Sequence, residues 1–151
     1  MLGKLGIPKT IFSNLEVRYE QIFNVSFSET PKDQLNHKKG REVLAKIKFY
    51  DDDCYLHCRE IFEKNELLEY YYDWYAGNGT ILQKFHAHYH PNDAPEEVSR
   101  FDPWHWHVPK DENEKEGQRV PSKEGYTIHD VLEEHVLPHI LRVKRSKRSN
   151  L

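Results

Sequence analysis

The chain has 151 residues and a formal net charge of −3, and 37% of its residues are hydrophobic. This length is typical of one domain that buries a core without disulfide or metal support. The small net charge excludes a whole-molecule field strong enough to attract nucleic acid or an acidic membrane, so any such binding must be local. No run approaches the ~20 apolar residues of a membrane-spanning helix, and we expect no membrane interaction.

The first part of the chain predicts a short helix and a strand. Apolar residues recur at helical spacing between positions 11 and 23, namely Phe12, Leu15, Tyr19, Ile22 and Phe23. Val25 and Phe27 then alternate with polar residues, which indicates a first strand.

Four further strands are predicted at 43–50, 55–62, 67–75 and 81–90. These segments are rich in β-branched and aromatic residues. Short turn sequences separate them, among them Asp51-Asp52-Asp53 and Gly77-Asn78-Gly79. Because such turns leave no room for crossovers, we expect sequential antiparallel neighbours, with pairing that ends at Pro91.

The end of the chain predicts a helix and a tail. Thr127 and Asp130 indicate a helix start, and the helix is expected to end before Pro138. The sequence therefore predicts an α+β fold: an antiparallel β-meander of four to five strands with N- and C-terminal helices packed on one face. Residues 1–141 are assigned to one domain, and residues 142–151 to a frayed basic tail whose contact with nucleic acid is left open.

The cysteines and the N-terminus bear on the cellular compartment. Cys54 and Cys58 are too few for a disulfide framework, and the first residues lack a signal-peptide pattern. A reducing, cytoplasmic setting is expected. The two cysteines are interpreted as small buried side chains rather than as zinc ligands.

Five of the ten histidines fall between positions 86 and 107. Alternate residues of a strand share one face, so each His-x-His pair presents two imidazoles to the same side. Imidazoles so placed can transfer protons as acid and base, or can bind a divalent metal such as zinc. We predict catalytic roles for His86, His88, His105 and His107. The predicted metal ligands are His86, His88 and His90.

Two questions about these histidines stay open at this point. The nearest carboxylates in the sequence, Asp93 and Asp102, do not define a metal. The structural alternative is that the imidazoles only pack beside Tyr89, Trp104 and Trp106. A cluster of five titratable groups would be destabilised by protonation below pH ~6.5, which favours a functional site.

The segment from Cys54 to Val108 resembles the TumE family of toxins from prokaryotic toxin-antitoxin loci. An Arg-Glu pair, an aromatic strand, a glycine turn, an Arg-Tyr position and a closing Pro-His motif occur in the family in this order. Their equivalents are Arg59-Glu60, Tyr70 to Tyr75, Gly77 to Gly79, Lys84-Phe85, and Pro103 with His105, His107 and Val108. The chain departs from the family at His86-Ala87, where Asp-Asn is usual, and at Trp104 and Trp106, which replace polar residues.

The resemblance implies a toxin that is encoded beside a cognate antitoxin and acts on RNA as a ribonuclease. Arg59, Lys84 and Arg100 would then bind phosphate, and the histidines would act on the 2′-hydroxyl and the leaving oxygen. The alternative is a non-catalytic metal-binding or protein-binding module with structural histidines. A homo-oligomer is left open.

Overall fold

The computed structural model describes residues 4–29, 40–91, 93–110 and 117–149. Its centre is a seven-stranded antiparallel sheet whose strands follow one another in sequence order. The strands are β1 Phe23–Glu29, β2 Arg41–Phe49, β3 Tyr55–Glu63, β4 Glu66–Tyr75, β5 Ile81–Ala87, β6 Trp104–Val108 and β7 Gln118–Pro121. The α+β class and the sequential antiparallel meander are confirmed.

The predicted count of four to five strands is wrong, because pairing continues beyond Pro91. β6 returns along β5 and β7 pairs with β6. These two strands have only 5 and 4 residues and follow proline-rich or charged sequence, so they lack the long alternating pattern of the others. β5 also ends at Ala87 rather than at position 90. The backbone N–H of His90 bonds to the Asp102 carboxylate instead of to a strand.

The N- and C-terminal helices cover one face of the sheet, as predicted. They are α1 Phe12–Arg18 near the N-terminus and, in succession near the C-terminus, α3 Ile128–Val131, a π-helical turn Leu132–Val136 and α4 Leu137–Ser149; the short helix α2 Glu96–Ser99 lies in the segment between β5 and β6. Leu15, Val131 and Ile140 from these elements join the apolar core with Leu56 and Tyr70 of the sheet. We call this side the covered face.

The C-terminal helix does not end before Pro138, and the predicted frayed tail is wrong for residues 142–149. Proline lacks an N–H and cannot bond to the carbonyl four residues earlier. The π-helical turn directly before it absorbs this defect. Lys144 and Lys147 then contact Asp51, with Lys147 Nζ donating to the Asp51 carbonyl at 2.8 Å. The basic segment is thus docked on the acidic turn between β2 and β3.

Strand alternation sends the remaining side chains to the opposite side, which we call the open face. Buried Cys58 and Tyr72 point to the core, whereas Arg59 and Tyr71, next to them in sequence, lie on the open face. The segment between β5 and β6 covers one end of this face, where Arg119 donates to the Val98 carbonyl at 2.6 Å. None of the helices in the described ranges combines the length and apolar composition that crossing a bilayer requires.

Candidate functional site

Three imidazoles lie side by side on the open face of β5 and β6. His86 is directly opposite His105 in the antiparallel register, and His107 is two pairs further along, opposite Lys84. The ring centroid of His86 is 5.6 Å from that of His105 and 4.8 Å from that of His107. The three residues are 8%, 1% and 3% exposed. We call them the inner histidines.

Two further imidazoles, His88 and His90, cover the inner ones from the segment that follows β5. Their ring centroids are 4.5 Å apart, and those of His88 and His105 are 5.0 Å apart. His88 also stacks on Tyr71 at 5.1 Å. We call His88 and His90 the outer histidines, and all five together the histidine cluster.

Two carboxylates orient members of the cluster. Asp73 Oδ1 lies 2.8 Å from His86 Nε2, and Asp102 Oδ1 lies 2.6 Å from His90 Nδ1. A carboxylate beside one ring nitrogen fixes the proton there and leaves the other nitrogen with its lone pair. The second nitrogen of His90, Nε2, lies 3.5 Å from Arg119 Nη1. The sequence pattern did not predict Asp73 and Arg119 as site residues, because they lie on β4 and β7, the strands next to β5 and β6.

The surroundings of His88 and His105 hold these two imidazoles in the neutral form. Burial, together with the neighbouring imidazoles and Arg119, lowers the pKa of His105 to about 2. Burial, with His90 and His86 as the next causes, lowers the pKa of His88 to about 4. Neutral imidazole is the form that accepts a proton or binds a metal ion.

Two groups of side chains in the described residues bring three ligand atoms within 4.8 Å of one another. One consists of the inner histidines His86, His105 and His107. The other consists of Asp52, Cys54 and His139. The predicted ligand set of His86, His88 and His90 shares only His86 with the first group and stays a prediction.

An open groove with a volume of about 640 Å³ runs from the cluster across β4, β3 and β2. Its lining combines cations, aromatic rings and hydroxyls, including Lys46, His57, Arg59, Tyr71 and Ser26. His86 and Asp73 also line it, so the groove reaches the inner histidines.

The three predicted phosphate-binding residues lie in different places. Arg59 lines the groove, although its Nε donates to Glu42 at 2.7 Å. Lys84 lies on the open face of β5, opposite His107. Arg100 follows α2, is exposed, and lies over the Phe101 ring. The structure therefore brings Arg59 and Lys84 to the open face and leaves Arg100 outside the sheet.

A family model described as Toxin TumE matches residues 15–138. The chain belongs to this toxin family. The match confirms the resemblance seen over residues 54–108 and extends it over most of the chain. No curated protein and no solved structure matches the chain.

Membership in the TumE family implies an antitoxin partner. At the position where the resemblance leads one to expect an acidic residue the chain has His86, whose Nε2 lies 2.8 Å from Asp73 Oδ1. The Arg-Glu pair divides between the faces. Arg59 is on the open face, whereas Glu60 is fully buried in the core.

Proposed function

We propose that this TumE-family toxin acts in the cytoplasm by cleaving RNA, and that the histidine cluster performs the cleavage. The observation that carries the proposal is the convergence of five imidazoles and two orienting carboxylates at the end of a groove lined by cations and aromatic rings. Structural packing alone does not require the His86–Asp73 and His90–Asp102 pairs. These pairs fix the ring nitrogens, as acid-base chemistry requires.

RNA suits this arrangement because the substrate carries its own nucleophile. A base removes the proton of a 2′-hydroxyl, whose oxygen attacks the adjacent phosphorus. The bond from phosphorus to the 5′-oxygen breaks, and that oxygen receives a proton from an acid. The products are a 2′,3′-cyclic phosphate and a 5′-hydroxyl, and no external oxidant or nucleophile is consumed.

We assign proton transfer to the outer histidines. His90 is the base, because Asp102 holds Nδ1 and leaves Nε2 with its lone pair beside Arg119. His88 is the acid, because its ring is the nearest to His90. Burial lowers its pKa to about 4 in the free protein, so it takes up the proton only when bound phosphate raises that pKa. Arg119 offers charge to the phosphate. His105 and His107, which the sequence pattern predicts to be catalytic, are almost fully buried and are better placed to support the outer rings.

The groove supplies the binding surface for a single strand. Aromatic rings stack on bases without sequence preference, and cations along a groove follow the phosphate backbone. Tyr71 lies between Arg59 and the histidine cluster, with the Arg59 guanidinium 5.5 Å from its ring centroid. A strand in the groove would therefore pass from Lys46 and Arg59 toward His88 and His90.

The test uses purified protein and one synthetic single-stranded RNA in two forms, unmodified and with every 2′-hydroxyl methylated. We expect cleavage of the unmodified RNA only, with cyclic phosphate ends. His90→Asn and His88→Asn should each lower the rate ~10²–10⁴-fold. His129→Asn, in α3, is the matched control and should cleave normally. Cleavage of the methylated RNA, or normal rates in both outer variants, would contradict the proposal.

A second candidate is a non-catalytic module in which the cluster holds a structural metal. The buried ring nitrogens of His105, which have no hydrogen-bond partner among the described residues, favour it. This candidate predicts growth arrest by the toxin without cleavage of any RNA. Loss of arrest in His105→Ala together with cleavage in vitro by the unaltered chain would exclude it.

A further inference from the structure

The inner histidines contain a buried polar group that the proposed reaction does not use. His105 is 1% exposed, and neither Nδ1 nor Nε2 has a hydrogen-bond partner among the described residues. Buried polar groups are almost always paired, because an unpaired one loses its hydrogen bonds to water without replacement. The unpaired nitrogens therefore point to a ligand between the three rings.

We propose that His86, His105 and His107 bind one divalent transition-metal ion of the zinc class. One ring nitrogen from each of these residues lies within 4.8 Å of the others. Zn²⁺ binds imidazole nitrogen at ~2.0–2.1 Å in tetrahedral geometry, which requires the nitrogens to be about 3.4 Å apart. Small rotations of the three rings would close the set around an ion.

The carboxylate next to this triad supports the same conclusion. In histidines that bind metal through one ring nitrogen, the N–H of the other ring nitrogen almost always donates a hydrogen bond to a carboxylate, carbonyl or water. Asp73 stands in that relation to His86, because it contacts Nε2 at 2.8 Å and leaves Nδ1 for the ion. Asp73 is also the negative charge that the groove places beside the triad.

The donor set selects the class of metal. Three imidazoles suit Zn²⁺, Co²⁺, Ni²⁺ and Cu²⁺, whereas Mg²⁺ and Ca²⁺ need oxygen ligands.

The second group of possible ligands, Asp52, Cys54 and His139, does not show the same features. Asp52 already accepts the Cys54 backbone N–H at 3.1 Å and lies 3.4 Å from His139 Nε2. Burial raises the pKa of the Cys54 thiol to about 12, which disfavours the thiolate that a metal requires. The polar atoms of this group therefore contact one another, and the group serves as the control site in the metal-binding experiment.

The bound ion would lie next to the groove, because His86 belongs to the triad and also lines the groove. A use of that ion in catalysis, as positive charge for the phosphate under attack, rests on the proposed function. The binding of the ion does not, because it depends only on the three imidazoles.

The experiment measures metal binding by the full chain without any activity assay. The protein is purified, stripped with chelator and titrated with Co²⁺, whose visible absorption reports tetrahedral nitrogen ligands, and then with Zn²⁺ in competition. We expect one ion per chain and a rise in melting temperature on addition of Zn²⁺. His105→Gln and His107→Gln should abolish the absorption, Asp73→Asn should weaken binding ~10–100-fold, and His139→Gln should leave it unchanged.

The outcomes separate this proposal from the proposed function. A folded chain that binds neither Co²⁺ nor Zn²⁺ overturns the metal site, as does a site lost in His139→Gln but kept in His105→Gln. Circular dichroism checks the fold of each variant, and Asp73→Asn decides the question if the histidine variants do not fold. Stoichiometric metal without RNA cleavage supports the site and contradicts the ribonuclease. RNA cleavage by a chain that binds no metal supports the ribonuclease and contradicts the metal site.

Discussion

Two buried ionisable side chains lie on opposite faces of the same sheet, and their surroundings differ. Glu60, on the covered face, accepts hydrogen bonds from the Thr10 N–H at 2.8 Å and from the Thr10 and Tyr72 hydroxyls, both at 2.5 Å. His105, on the open face, has no such partner for either ring nitrogen among the described residues. Both are about equally buried, at 0% and 1% exposure.

The difference in hydrogen bonding indicates that Glu60 stabilises the fold, whereas His105 has a functional role. Glu60 ties the segment before α1 to the centre of the sheet, because Thr10 lies 50 residues away in sequence. His105 makes no comparable link. A local rule broken without structural compensation is typical of functional sites. Predictions for the two faces should therefore diverge: loss of stability on the covered face, and loss of activity on the open one.

The largest effect is expected for Asp102→Asn, measured as the rate of RNA cleavage. Asparagine keeps an acceptor for the His90 backbone N–H but no longer holds the proton on Nδ1. We expect a rate ~10²–10⁴ lower, with little change in the free energy of unfolding. Asp93→Asn is the matched control, because Asp93 is exposed in the same segment. Equal rates for the two variants would remove His90 from the mechanism.

The second effect is a loss of stability on the covered face. Glu60→Leu leaves the Thr10 N–H and the Tyr72 hydroxyl buried without their acceptor. We expect the free energy of unfolding, from urea denaturation, to fall by about 2–4 kcal/mol. Glu63→Leu, at the exposed end of the same strand, should change it by less than ~0.5 kcal/mol. Similar losses in both variants would mean that Glu60 is not a specific anchor.

The fold was predictable where long alternating strands meet short turns. β2 to β5 satisfy this condition, and their order and direction are those that the sequence predicts. β6 and β7 were missed because a strand of five or four residues carries too little pattern, and β6 is paired through residues far from it in sequence. Pro138 suggested a helix end because the π-helical turn that accommodates it has no sequence signature.

The site was predictable in its residue type but not in its arrangement. Histidines at alternate positions do share a face, which the sequence alone indicates. The pairing of His86 with Asp73 depends on the register between β4 and β5, and Arg119 depends on β7. No pattern in a single sequence specifies such contacts between strands. The departure at His86 showed that a usual acidic residue is missing, but not that Asp73 lies beside the imidazole.

The third effect is a pH dependence of stability in the metal-free protein. Burial lowers the pKa of His105 to about 2 and that of His88 to about 4, whereas the unfolded chain takes up these protons near pH 6.5. Stability from these groups is therefore complete above pH 6.5 and is lost as the pH falls toward the folded values. Between pH 7.5 and 5.5 we expect a loss of about 1 kcal/mol for each of these imidazoles, measured by urea denaturation.

Glu60 contributes to the pH dependence of stability with the opposite sign. Burial raises the pKa of its carboxyl, so the folded state holds that proton to a higher pH than the unfolded state does. Its contribution therefore rises as the pH falls toward the unfolded value, and Glu60→Leu should steepen the loss of stability on acidification. A variant with a shallower slope than the unaltered chain would contradict this assignment.

The smallest change in stability, and the sharpest contrast, is expected for His105→Leu. Substitution by leucine at Glu60 destabilises the covered face because it removes a hydrogen-bond acceptor. At His105 the same substitution removes two ring nitrogens that have no partner, so it leaves no donor or acceptor of the described residues without its hydrogen bond. Replacement of an unsatisfied polar group by an apolar one of similar size is nearly neutral or stabilising. In chelator-treated protein we expect the free energy of unfolding at pH 7.5 to change by less than ~1 kcal/mol.

The dependence of the free energy of unfolding on pH between 7.5 and 5.5 should become weaker in His105→Leu, because one difference in proton binding between the folded and unfolded states is gone. With Zn²⁺ present the variant should lose the stabilisation that the unaltered chain gains from the ion. A loss as large as that of Glu60→Leu in the absence of metal would show that His105 is a structural residue of the core, and the distinction between the two faces would fail.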